Sequence, residues 1–199
     1  MFPLTGHVEK GVESEMAEKP IIGVLLGDAA GVGPELVAKC AAAHFYEEFC
    51  RPVIIGDLRV FERALRVIEA SEEVKLQVID SIEEADWHKG LPVLDQKNLD
   101  PKIVPFAVKT VESGKACLDM LKLGVELWQE GKIDGYVFGP LNKAGMHEAG
   151  LDLESEHHYL ARLLGHTDPF GEINVTNGLY TTRTTSHIPI SQVSADLKE

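Results

Sequence analysis

The stretch from residue 21 to residue 35 constrains the fold more than any other. Residues 21–26 are an almost unbroken apolar run, the pattern of a strand buried on both faces. The run ends in Gly27-Asp28-Ala29-Ala30-Gly31-Val32-Gly33, and Pro34-Glu35 follow. Proline at a first helical position and an acid in the first turn are helix start signals. The helix they open carries Leu36, Val37, Cys40, Ala41, His44 and Phe45 along one predicted face. A buried strand, a glycine-rich turn and a helix in succession open an α/β sheet.

The alternation continues. Residues 52–55 read as a second strand, and Gly56-Asp57 open a second helix with Val60, Phe61, Ala64, Leu65 and Ile68 at helical spacing. Residues 74–79 are a third strand. The acidic stretch 81–101, broken by Gly90, Pro92 and Pro101, reads mainly as loop with a short strand at 91–94. Ser113 is placed to cap a long helix whose stripe is Cys117, Leu121, Val125 and Trp128 and which Gly131 ends. Residues 133–138 form the next strand, followed by Gly139-Pro140-Leu141-Asn142-Lys143. The last third changes character, because Asn177-Gly178 is a strong two-residue hairpin signal between residues 172–176 and 179–186. The expected organisation is a polar, disordered lead-in at 1–19, a first α/β domain at 20–140, and the start of a second domain at 141–199.

Charge and composition exclude several classes. With 32 acidic against 19 basic residues, the net charge is −13, which argues against a nucleic-acid surface. No apolar run is long enough for a membrane span, and the lead-in has no secretory h-region. Cys40, Cys50 and Cys117 are odd in number and show no C-x-x-C spacing, so they read as reduced thiols in a cytoplasmic protein.

Four constellations carry possible chemistry, each with a plainer alternative. The glycine-rich loop at 27–34 leads into a helix N-terminus, which suits an anion, but its spacing is neither G-x-G-x-x-G nor a Walker loop. It is equally a plain turn. Lys143 follows the C-terminal end of a strand, where open α/β sheets place ligands; otherwise it is a solvated surface lysine. Glu156, His157 and His158 precede the helical stripe Tyr159, Leu160, Leu163 and Leu164. They are a substrate or metal group, or merely a capping cluster. His187, before Ile188-Pro189, is a ligand or a hydrogen-bonded structural histidine.

Taken in order, four segments resemble the 4-hydroxythreonine-4-phosphate dehydrogenase family, including its D-threonate 4-phosphate dehydrogenase-like members. Residues 27–35 are similar to G-[ED]-P-A-G-[IV]-G-P-[ED], and also to the G-D-G-I-G-P-E of isocitrate and isopropylmalate dehydrogenases. Ser113-Gly114-Lys115-Ala116 resembles the family's small-residue helix start. Gly139-Pro140-Leu141-Asn142-Lys143 resembles G-P-[IV]-[NH]-K, and Thr185-Ser186-His187-Ile188-Pro189 resembles T-[TS]-H-[LI]-P. One stretch departs: the main branch has G-H-T-E where this chain has Ser155-Glu156-His157-His158, which leaves the pyridoxine-pathway substrate in question.

The resemblance implies an isocitrate/isopropylmalate dehydrogenase-like α/β/α sandwich, incomplete in this chain, with the hairpin in its second subdomain. It implies a homodimer that uses NAD and a divalent metal (zinc, magnesium or cobalt) to oxidise and decarboxylate a small 4-phosphorylated hydroxy acid. 4-Phosphohydroxy-L-threonine and D-threonate or D-erythronate 4-phosphate are the implied substrates. In that scheme Lys143 is catalytic, Glu156, His157 and His158 bind substrate, Gly27, Asp28, Gly31 and Gly33 border the cofactor, and His187 holds the metal. The family's other two metal histidines fall beyond Glu199, so the 199-residue chain is expected to be inactive alone. The competing readings are a non-catalytic remnant or binding module on the same scaffold, and an anion-binding transferase.

Overall fold

Residues 19–185 and 188–197 are described by a computed structural model. The expected disordered lead-in falls almost wholly on residues 1–18 and lies outside the described residues, as does His187.

The apolar run at the start forms β1 (Ile21–Leu25), and it lies inside a five-stranded parallel sheet. It pairs with β2 (Arg51–Gly56) in the register Ile21↔Arg51 to Leu25↔Ile55. On its other side it pairs with β5 (Gly135–Phe138), from Ile22↔Gly135 to Leu25↔Phe138. The sheet is completed by β3 (Leu76–Ile79) and β4 (Leu91–Asp95), in the order β3-β4-β2-β1-β5. Central strands buried on both faces need continuous apolar sequence, and Val53, Ile54, Ile55 and Val93 are wholly buried. The short strand expected at 91–94 is therefore an inner strand rather than an excursion in a loop. Its Pro92 is accommodated because pairing with β2 begins one residue later, at Ile54↔Val93.

Three helices cover the sheet: α1 (Gly33–Ala42), α2 (Leu58–Val67) and α3 (Val111–Gln129). Right-handed crossovers put α1 and α2 on one face and α3 on the other. Asp57 caps α2 by accepting from the Arg59 N–H, and the predicted face Val60, Phe61, Ala64, Leu65 is buried. The face of α1 differs from expectation. Pro34, Val37, Ala38 and Ala41 are buried, whereas Leu36 and Phe45 are half exposed. The helix ends at Ala42 and His44 takes a positive φ of 53°, so Phe45 has left the helical stripe. On α3 the cap is Thr110, whose hydroxyl accepts from the Ser113 N–H. Ser113 lies inside the first turn, free to bond elsewhere.

After β5 come α4 (Lys143–Glu148) and α5 (Glu156–Leu163), both packed on α3. The α3–α4 contact is backbone on backbone: a Cβ on Gly114 would collide with the Gly145 carbonyl. That approach fixes where Lys143, the first residue of α4, is held.

The chain divides into two compact units, Met1–Leu164 and Gly165–Glu199. The second contains the expected hairpin, β6 (Ile173–Thr176) antiparallel to β7 (Leu179–Thr182), and a short α6 (Val193–Asp196). Asn177 and Gly178 have φ of 43° and 80°, the two left-handed residues that a type I′ turn requires. Pairing of Ile173 with Thr182 and Val175 with Tyr180 puts Ile173, Val175 and Tyr180 on one face.

Candidate active site

Strands β1 and β5 are neighbours, yet β1 is followed by a helix on one face and β5 by helices packed with α3 on the other. Open α/β sheets bind ligands outside the carboxyl ends of strands at such a switch point. Here the loops leaving the two strands interlock. The Asp28 N–H donates to the Pro140 carbonyl at 2.9 Å, and the Gly139 N–H donates to the Leu25 carbonyl at 2.9 Å. Gly27 has φ 79°, and a Cβ there would lie 2.7 Å from the Gly139 and Pro140 carbonyl oxygens. A Cβ on Gly33 would lie 2.5 Å from the Leu26 carbonyl oxygen, and one on Gly139 would lie 2.6 Å from the same atom. These glycines are dictated by the crossing of two backbones.

The loop is also held from beneath. Asp28 is buried, and its carboxylate accepts from the Ala30 N–H at 3.1 Å and from the Ser113 hydroxyl at 2.5 Å. The Ser113 oxygen in turn accepts from the Ala29 N–H at 3.0 Å. Next to this network burial, with the Asp28 charge adding to it, pushes the Cys117 thiol up, so it stays protonated. Above it, the Arg63 guanidinium donates to the Ala29, Pro101 and Val104 carbonyls and lies 4.4 Å over the Phe106 ring. The Ala107 N–H donates to the Ala30 carbonyl at 2.8 Å, so residues 101–107 are tied down beside the loop. Of the four loop residues expected to border a cofactor, only Gly31 keeps ordinary space, its nearest neighbour being Asp28 Oδ2 at 3.4 Å. The space at Gly27 and Gly33 is taken by backbone, and Asp28 is turned inward. Sequence reading missed Arg63 and misassigned Ser113. Nothing in the pattern of α2 marks Arg63, but Thr110 three residues before Ser113 is a capping signal.

The side chains beyond β5 are arranged differently. Asn142 caps α4 through its Oδ1, which accepts from the Gly145 N–H at 3.1 Å, leaving Lys143 to project from the first turn, half exposed. Ser155 precedes α5, and its Oγ bonds to His158 Nδ1 at 2.9 Å. Glu156 is the first residue of α5, with a side chain only 14% exposed. Its Oε2 lies 3.7 Å from Lys143 Nζ, and its Oε1 lies 3.9 Å from His157 Nδ1. Oε2 is shielded from solvent and, among the described residues, accepts no hydrogen bond beyond its ion pair with Lys143. The structure thus brings Lys143, Glu156 and His157 together, while His158 bonds back to Ser155. Among the described residues no group of three His, Cys, Asp or Glu side chains is arranged to hold a metal, so these residues alone do not make a metal site.

This is the α/β scaffold of a known dehydrogenase group. The chain is similar, with a TM-score of 0.78 and 34% identity, to the crystal structure of a 4-hydroxythreonine-4-phosphate dehydrogenase from Burkholderia phymatum, covering 87% of this chain and 52% of that one. It is 33% identical over 169 residues to the D-threonate 4-phosphate dehydrogenase of Cupriavidus necator, covering 85% of this chain and 50% of that protein. It is 35% identical over 181 residues to a Pseudomonas aeruginosa protein named, provisionally, as a 4-hydroxythreonine-4-phosphate dehydrogenase, covering 90% of this chain and 53% of that protein. Residues 48–199 match the family described as pyridoxal phosphate biosynthetic protein PdxA, and the chain belongs to that family. The isocitrate dehydrogenase-like fold expected from the resemblance is the fold of these structures. The chain spans about half the length of the relatives it matches. No helix among the described residues is long and apolar enough to cross a membrane.

Proposed function

We propose that this chain supplies the substrate corner of a dehydrogenase that oxidises a small 4-phosphorylated hydroxy acid, such as D-threonate 4-phosphate or 4-phosphohydroxy-L-threonine. The observation that carries the reading is the meeting of Lys143, Glu156 and His157 beside the switch point between β1 and β5. Family membership and the substrates in the relatives' names support the same class.

The reaction would pass hydride from a secondary alcohol carbon to NAD and release the hydroxyl proton to solvent; the keto acid would then lose carbon dioxide and take up a proton at carbon. NAD, when bound, would supply the hydride acceptor. Lys143, half exposed and cationic, places positive charge where negative charge develops on oxygen. Glu156 and His157 orient the substrate, with Glu156 fixed by its burial. A divalent ion with His187 among its ligands belongs to the proposal by family resemblance, and its chemistry is Lewis-acid polarisation of the alcohol. The described residues do not fit such an ion by themselves.

The proposed assembly is a homodimer in a reducing, cytoplasmic compartment. Ile173, Val175 and Tyr180, on one face of the hairpin, are 67%, 58% and 69% exposed, and an isolated two-stranded hairpin is marginal in water. The thiols of Cys40, Cys50 and Cys117 are unpaired. Titrations of NAD and of zinc by calorimetry, followed by an NADH absorbance assay with D-threonate 4-phosphate, test the function. The 199-residue chain is expected to show no turnover, and a chain extended to the length of its relatives is expected to turn over. Failure of the extended chain to reduce NAD with any phosphorylated hydroxy acid overturns the reading.

A further inference from the structure

A cavity of about 580 Å³ opens at the amino ends of β2, β3 and β4, within the ~300–1,000 Å³ of small-molecule sites. Lys143 follows the carboxyl end of β5, the side on which open α/β sheets place their ligands, so the cavity is separate from that corner. Its floor is apolar and includes Pro52, Val74, Ala85, Trp87 and Leu91. Pro52 is buried and the other four are half-buried. Backbone contacts fix this floor. The Leu91 N–H donates to the Lys75 carbonyl at 2.8 Å, and a Cβ on Gly90 would lie 2.6 Å from the same oxygen. The Trp87 indole N–H donates to the Pro52 carbonyl at 2.8 Å, which holds the ring against β2.

The rim is charged. The Arg51 guanidinium lies 5.1 Å over the Trp87 ring, and its Nε donates to the Lys19 carbonyl at 2.8 Å. That bond leaves the terminal nitrogens, which have no hydrogen-bond or ion-pair partner among the described residues. Of the rim carboxylates, Glu47 is bonded to His44 at 2.8 Å and Asp86 to Lys89 at 3.0 Å. Glu73 and Lys75 offset each other in charge. Arg51 is then the cation in excess, and it is only half-buried, open to a ligand. A cationic ligand would meet its charge. An uncharged apolar body would cover the guanidinium without satisfying its N–H groups, and a small inorganic anion would leave the floor bare. A carboxylate joined to an apolar body meets both, because a guanidinium binds carboxylate through paired donors and covering the floor stabilises by about 25 cal/mol per Å² of apolar surface. We infer that this cavity is a second binding site, for a small arene carboxylate whose charge is held by Arg51 and whose ring system lies on the floor around Trp87. The inference does not depend on the proposed function.

The test titrates the 199-residue chain with 2-naphthoate, its uncharged analogue 2-naphthamide, and acetate, and follows the indole N–H resonances by proton–nitrogen-15 NMR. Trp87 and Trp128 are the two tryptophans, and W128F assigns their signals. Trp128 lies on α3, outside the cavity. 2-Naphthoate is expected to shift the Trp87 resonance and leave that of Trp128 unmoved. 2-Naphthamide is expected to bind about tenfold more weakly, the low end for a hydrogen bond to a charged group. Acetate is expected to give no shift at concentrations of 2-naphthoate that saturate the site. In R51Q the two naphthyl ligands are expected to bind within about twofold of each other. R51K keeps the charge but loses the paired donors and is expected to give an intermediate gap. An unchanged Trp128 resonance shows that each variant is folded. No shift at Trp87, equal movement of both indoles, acetate binding as tightly as 2-naphthoate, equal binding of the two naphthyl ligands to the wild type, or a gap that survives R51Q overturns the inference.

Discussion

The loop crossing between β1 and β5 and the Lys143–Glu156 corner stand close together in the fold and are built on opposite principles. At the crossing, the polar groups described above have partners and the empty space at Gly27, Gly33 and Gly139 is filled by backbone. At the corner, a buried acceptor and a half-exposed cation face each other without a hydrogen bond. A saturated region holds a fold in place, whereas a half-exposed cation such as Lys143 is open to a ligand. The glycines of the motif at 27 and 33 thus let two backbones cross.

The difference predicts how substitutions act on stability. Gly27→Ala combines a positive φ with a Cβ 2.7 Å from carbonyl atoms, and it should cost about 3 kcal/mol or more. Gly31→Ala, in the same loop but with ordinary space, should cost less than about 1 kcal/mol. Urea denaturation of both variants reads this directly, and equal costs break the comparison.

Removing the Ser113 hydroxyl takes a donor from the buried Asp28 carboxylate. Ser113→Ala is expected to destabilise by about 2 kcal/mol, measured in the same denaturation series. A loss too small to detect would mean that the network does not hold the loop.

Asp57 gives a related effect through pH. Burial acts to raise its carboxyl, but hydrogen bonds from the Arg59 side chain and from the Leu99 and Arg59 N–H groups outweigh it and hold the group below its usual range. A carboxyl that titrates lower when folded stabilises fully above the unfolded value of about 4. That contribution is lost as pH falls through the folded value. Asp57→Asn should therefore cost most near neutral pH and progressively less below about pH 4. A pH-independent difference in Tm contradicts this.

Glu156→Gln is the smallest expected change and has the opposite sign. It removes a buried charge without a hydrogen bond, at the expense of an ion pair that is half exposed on the lysine side and weak. Stability should rise by up to about 1 kcal/mol, and a loss of 2 kcal/mol or more would place Glu156 in the structural class.

How far the sequence reveals these regions follows from the range of the forces involved. The first strand, the cap at Asp57 and the turn at Asn177-Gly178 are set by local chemistry, and they appear where the residue pattern puts them. The face of α1 was legible only in part, because a conformational change at His44 cuts the stripe short. The cap of α3 was displaced from Ser113 to Thr110 because Ser113 is recruited by Asp28, 85 residues away in sequence. No periodicity encodes a partner at that distance. The same holds for Arg63, which gathers carbonyls from two loops, and for Glu156, whose burial comes from tertiary packing. Glu156, His157 and Lys143 were legible as candidates, but that Lys143, Glu156 and His157 meet while His158 bonds back to Ser155 was not.

Calorimetric titration of Lys143→Ala with D-threonate 4-phosphate tests most directly whether the proposed corner, rather than the glycine crossing, receives the ligand. The expected result is affinity at least about tenfold weaker than wild type. Wild-type affinity in Lys143→Ala would contradict the account.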